Sequence, residues 1–156
     1  MSRSLVLLGC ICLLCCSQTV AQTPAGNRRL MEFRAARTTA AVGYALVKSV
    51  NGTRFYLSDS ALVSEDDVVS AKVDTSASNG AVLEVQLEPR TAARFQEFTQ
   101  HHVGEYLAVL VNGELSGTPP RIMDPISTPM LTLTGLPAVD AQRFATVVAA
   151  RRHSGP

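Results

Sequence analysis

Apolar and polar positions recur along this chain with periods that change several times, and each change marks an element. Ala41 to Val50 is mostly apolar and β-branched and runs into Asn51-Gly52, a dipeptide that accepts positive φ and so predicts a hairpin. Thr53 to Leu57 alternates around Phe55 and Leu57 and reads as the return strand. In Ser64-Glu65-Asp66-Asp67 a hydroxyl precedes a carboxylate by three positions, the logic of a capping box, which predicts a short helical turn. A strand from about Val69 to Asp74, a small polar loop from Thr75 to Gly80 and a partly alternating strand from Val82 to Glu88 follow.

Pro89 stands where its fixed φ suits the first residue of a helix, predicted to run to about His102 and stop at a left-handed Gly104. Ala92, Phe95, Phe98 and Thr99 share one face of that helix, so both phenylalanines are expected on the sheet. Tyr106 to Val111 is nearly continuous apolar text, suited to a central strand covered on both sides. Asn112-Gly113 turns the chain back, and a proline-rich crossing leads to a second apolar strand over MLTLTG, Met130 to Gly135. Pro137 to Arg152 repeats the one-face pattern at Ala141, Phe144, Ala145 and Val148, with Arg151 and Arg152 suiting the C-terminal dipole. Arg28 to Arg37 mixes four arginines with Met31 and Phe33 and reads either as a first strand or as a solvated basic start to the domain. The expected fold is α+β, an antiparallel sheet of about five or six strands with two main helices packed on one face.

The ends change this picture little. Met1 to Ala21 is expected to be an export signal, with Arg3 its lone charge, an apolar run from Leu5 to Cys16 and small residues before a cleavage at Ala21. That run is shorter than the roughly 20 apolar residues that a membrane span needs. All four cysteines, Cys10, Cys12, Cys15 and Cys16, lie inside it, so cleavage would leave no thiol for a disulfide or a metal. An alternative fate is lipid attachment at Cys16 after Leu13-Leu14-Cys15. Residues 22–29 read as a flexible leader, residues 30–152 as one domain and residues 153–156 as a tail. Losing Arg3 reduces the 14 basic residues to parity with the 13 acidic ones. A neutral domain argues against nucleic acid and against a polybasic membrane patch, and no later segment is apolar enough to span a bilayer.

Three pieces of text, SALVSEDDVVSAKV, VLEVQLEPRTAARFQEFTQHHVGEYLAVLVNGELSGTPP and MLTLTGLPAVDAQRFA, follow one another in the order and spacing of a known module. Together they resemble the head of the first periplasmic domain of the SecD protein-export family, and LMEFR resembles the Leu-Glu-Phe-Arg segment that precedes that head. Asn112 stands where the family usually has Asp, which keeps the turn. Gly117-Thr118-Pro119-Pro120 replaces a Ser-Ala-Pro segment with one residue more. The resemblance implies an exported, periplasmic setting, emerging unfolded polypeptides as clients and Sec translocase components as partners. The family's membrane helices, with the ionisable residues tied to proton flow, have no counterpart in this text, so proton-driven translocation by this chain alone is not expected.

Candidate chemistry is sparse. His101-His102 with Glu105 is the one cluster to weigh as a metal site, but adjacent helical residues point about 100° apart and zinc takes about three or four convergent ligands. Asp66-Asp67 would serve as an acid and base pair only if the capping turn did not use them. Gly113, Gly117 and Gly135 are separated by strand text and make no phosphate loop. No enzyme activity, cofactor or metal is therefore assigned. The crossing, Gly117 to Pro129, is the best functional segment: Pro119, Pro120, Pro125 and Pro129 restrain it, and Gly117, Pro119, Pro120, Ile122, Met123 and Ile126 form a candidate peptide-contact loop. Alternatively, Ile122 and Ile126 seal one end of the sandwich. The expected function is a non-catalytic exported polypeptide-binding module; the alternative is a structural or interaction protein of the cell envelope, pairing with an envelope partner or with itself as a weak homodimer through an edge strand.

Overall fold

The computed structural model describes residues 29–49, 51–76 and 80–153, with side chains to Arg151. The expected export signal, Ala21, Cys16 and the leader before Arg29 lie outside the described residues, as do positions 77–79 of the polar loop and 154–156 of the tail. In chain order the elements are β1 (Met31–Arg37), β2 (Tyr44–Lys48), β3 (Arg54–Ser58), β4 (Val63–Ser64), a 3-10 turn (Glu65–Asp67), β5 (Val68–Asp74), β6 (Ala81–Leu87), α1 (Pro89–His101), β7 (Tyr106–Val111), β8 (Glu114–Leu115), β9 (Met130–Leu136) and α2 (Ala138–His153). The arginine-rich start is a strand, and a central one: Met31, Phe33, Ala35 and Ala36 are buried, while Arg34 reaches Glu32 and the carbonyls of Ser58 and Asp59.

The α+β class, the antiparallel pairing and the two helices are as expected, but the strands divide between two sheets. One has the order β2-β3-β1-β7-β8 with β4 also on β1, and the other has the order β5-β6-β9. The capping turn makes the division. Ser64 donates to Asp67 Oδ2 from both its backbone N–H (2.9 Å) and its hydroxyl (2.8 Å), so the chain bends where β4 ends and β5 starts in the second sheet. One edge of β1 is shared, with Phe33 opposite Val63 of β4 and Ala36 opposite Leu57 of β3.

The main core lies between the sheets. It joins Met31, Phe33, Leu107 and Val109 of the first sheet to Leu83, Val85, Leu87 and Leu131 of the second. From the helices come Phe95 of α1, edge-on to Phe33 with centroids 6.2 Å apart, and Ala141, Phe144 and Val148 of α2, which packs on β5. Phe98 is half-buried: it packs against the margin of this core and also stacks on His102. The continuous apolar run of β7 has the expected consequence. Leu107 and Val109 face the main core, while Ala108 and Leu110 face a second cluster with Ala36, Phe55 and Leu57. Among the described residues no helix and no strand of the second sheet joins that cluster, whose members all come from the first sheet. Phe55 and Tyr106 meet edge to face at 5.4 Å although β1 runs between their strands.

Two turns position the rest. Asn112 (φ 52°) and Gly113 (φ 79°) form the two-residue hairpin between the paired Val111 and Glu114, as the dipeptide predicts. Gly104 has the predicted positive φ (93°) but a different task. The helix ends at His101 and is capped by His102, whose N–H donates to Phe98 O, and Gly104 lies in the following turn, where Glu105 N–H donates to His102 O at 3.0 Å. Phe95 is 2% exposed, so Phe95→Ala is expected to cost about 3–4 kcal/mol in urea unfolding. Met123→Ala, at 70% exposure, should stay within about 0.5 kcal/mol. Equal effects would contradict this placement of the core.

Candidate functional site

The crossing between β8 and β9 is held like a short extra strand. Leu107 N–H donates to Pro120 O (2.9 Å), Arg121 bridges to Tyr106, and Ile122 N–H donates to Glu105 O (2.8 Å) while its carbonyl accepts from Gly104 N–H (2.8 Å). Pro119 and Pro120 lack N–H donors, so only a carbonyl of the pair can pair with β7. Arg121 Nε donates to Gly104 O, and Ile126 N–H donates to the buried Thr99 hydroxyl of α1 (3.0 Å). This anchoring divides the six candidate contact residues. Pro119 is buried, Ile122 is 4% exposed within the main core, and Ile126 is half-buried against it, so the two isoleucines seal the end of the sandwich. Gly117, Pro120 and Met123 remain on the outside.

The candidate polar clusters are committed to holding elements together. His101 Nδ1 lies 2.8 Å from Glu97 O, whereas His102 Nδ1 lies 3.1 Å from Glu105 Oε2, and Arg37 donates to the other oxygen of Glu105 at 2.9 Å. The adjacent histidines thus turn to separate partners. Among the described residues no three His, Cys, Asp or Glu side chains are grouped to hold a metal ion. Asp66 and Asp67 also diverge: Asp66 pairs with Arg151 at 2.7 Å, while Asp67 accepts from Ser64 and from Thr91 of α1 (2.8 Å), with Arg94 at 3.6 Å. Glu65, which the sequence did not single out, accepts from the backbone N–H groups of Leu30 and Met31 and pairs with Arg151 at 3.2 Å. No sequence signal pointed to it, because its partners lie 34 or more positions away.

Burial opposes the charge on Asp67, but the hydrogen bonds from the Ser64 side chain and backbone and from Thr91, with the Arg94 charge, outweigh it and hold the carboxyl below its ordinary range. A folded pKa below the unfolded one means that this stabilisation is complete above the unfolded value, about 3.9, and is lost as pH falls through the folded value. Asp67→Ala is expected to cost about 2 kcal/mol at neutral pH, because it strips partners from Ser64 and Thr91. Urea midpoints at pH 7 and pH 3 should show the gap between wild type and Asp67→Asn narrowing at the lower pH. A constant gap would contradict the carboxylate's role.

Among the described residues no helix is long and apolar enough to cross a membrane. Residues 41–151 match the family described as SecDF, P1 head subdomain. A curated relative, protein translocase subunit SecD of Thermobaculum terrenum, is 29% identical over 85 residues, covering 54% of this chain and 16% of its own length. Two solved structures, reported as "Structure and function of a membrane component SecDF that enhances protein export" and "Crystal structure of SecDF in Super-membrane-facing form", superpose with a TM-score of 0.57 at 19% identity. Each covers 78% of this chain, and the chain spans 62% of the first and 18% of the second, less than two thirds of any of these relatives. At that identity the two structures speak for the fold alone. The matched region takes in β2 through α2 and the crossing segment, so the chain belongs to the SecDF P1 head subdomain family.

Proposed function

We propose that this domain is a non-catalytic module that contacts extended or unfolded polypeptide outside the cytosol during protein export. Its membership of the SecDF head family is the observation that carries the reading. Its relatives are described as a translocase subunit and as a membrane component that enhances protein export, which supports a reading with emerging chains as clients and Sec translocase components as partners. The non-catalytic reading is supported by Asp66, Asp67, His102 and Glu105, each of which already holds a structural contact. The proposed route outward is the export signal with cleavage at Ala21, or acylation at Cys16 in its place.

The contact surface in this reading is the outer side of the crossing, at Gly117, Pro120 and Met123. Pro119 and Ile122 anchor it from behind, so little loop entropy remains to be lost on binding, and the flexible Met123 thioether adapts to varied side chains. The test is fluorescence anisotropy of a labelled, reduced and unfolded client titrated with the purified protein. Met123→Glu is expected to weaken binding about tenfold, a loss of about 1.4 kcal/mol. No binding by the wild type would overturn the function, and equal binding by the variant would overturn this surface.

A further inference from the structure

Among the described residues the strand paths of the two sheets end at β2, β8, β5 and β9, with the two-residue β4 to one side, and the β8, β5 and β9 edges are protected. The β8 edge is two residues long. The β5 edge carries a register shift between Val68 and Ser70 and the charges of Lys72 and Asp74. The β9 edge lies between Pro129 and Pro137 and is irregular where it faces Ala81 and Leu83. Bulges, prolines, charges and shortness are the devices that keep sheet edges from recruiting another chain. The β2 edge has almost none of them. Tyr44–Lys48 pairs with β3 in unbroken register, contains no proline and exposes half of Leu46 (51%), with the fully exposed Val42 just before it.

The register identifies the free backbone groups. Ser49 N–H bonds to Thr53 O and Asp59 N–H to Gly43 O, so the pairs that exchange hydrogen bonds with β3 are those of Gly43, Ala45, Val47 and Ser49. The amide groups of Leu46 and Lys48 therefore point outward. At the hairpin end Lys48 sits directly opposite Arg54, and neither enters an ion pair among the described residues. Like charges set across a ladder repel, and a carboxylate beside them would remove the repulsion.

We infer that β2 is a second polypeptide-contact surface, separate from Met123, which takes an extended segment as an added strand. That segment places an apolar residue beside Leu46 and an aspartate or glutamate two positions along, beside Lys48, with Arg54 one strand further in on the same face. A second copy of this chain fits less well, since residues 38–49 contain no acidic side chain and self-pairing would bring no carboxylate.

The probe is a short capped peptide that alternates valine and threonine around a central leucine, with glutamate two positions away, compared with the same peptide carrying lysine there. The glutamate peptide is expected to bind the purified protein about tenfold more tightly than the lysine peptide. Lys48→Glu combined with Arg54→Glu should reverse that preference. Leu46→Lys, at an exposed position that leaves the urea midpoint unchanged, should weaken both peptides, and Met123→Glu should leave both unaffected. Equal affinity of the wild type for the two peptides, or full binding by Leu46→Lys, would overturn the inference. So would a concentration-dependent dimer abolished by Leu46→Lys without any effect on peptide binding, the signature of self-pairing. Failure of the unfolded client to bind while the peptide preference persists would count against the proposed function and leave this edge standing.

Discussion

Unbroken antiparallel pairing between β1 and β7, from Met31 opposite Val111 to Ala36 opposite Tyr106, is the constraint on which the rest of the molecule depends. It ties the start of the domain to a strand more than 70 positions later, and each of its faces carries a core. Phe33, Leu107 and Val109 on one face meet the second sheet and the helices, whereas Ala36, Ala108 and Leu110 on the other meet Phe55 and Leu57 of β3, with Val47 of β2 and Leu115 of β8 at the margin. A strand pair apolar on both faces must be covered twice. The helices and the second sheet cover one face, and on the other the rings of Phe55 and Tyr106 meet across the strand of the small Ala36.

The same pair fixes the candidate contact surface. The crossing uses the start of β7 as its template, and that anchoring turns Pro119 and Ile122 inward while Pro120, Arg121 and Met123 face out. The proline pair suits this arrangement because it offers carbonyls to β7 and no donor that would need a partner of its own. The exposed surface is thus a by-product of well-satisfied packing behind it, which is how a loop can expose Met123 and still hold its shape.

The short turn between the sheets works as a junction. Glu65 and Asp67 stand two positions apart and reach different elements, Glu65 to the entrance of β1 and the end of α2, and Asp67 to the start of α1. Both carboxylates occupy acceptor roles that backbone N–H groups and hydroxyls would otherwise leave open. Residues of a kind that suggests acid and base chemistry are therefore explained by the joining of layers.

By itself, the sequence determined the local elements: the period of apolar positions located α1 and α2, the Asn112-Gly113 pair gave its own turn, Pro89 opened its helix, and Ser64 with Asp67 bent the chain, because each depends on neighbours within a few positions. The ordered pieces of text also carried the family. What only the tertiary structure decided was partnership. Whether β5 joined β4 in one sheet or left it for β6 and β9, whether Ile122 turned in or out, and which apolar strand kept a free edge all depend on residues far apart in the chain. Apolar text is the same for a buried central strand such as β7 and an exposed edge such as β2, since hydrophobicity states that a residue gains from burial and not what will cover it.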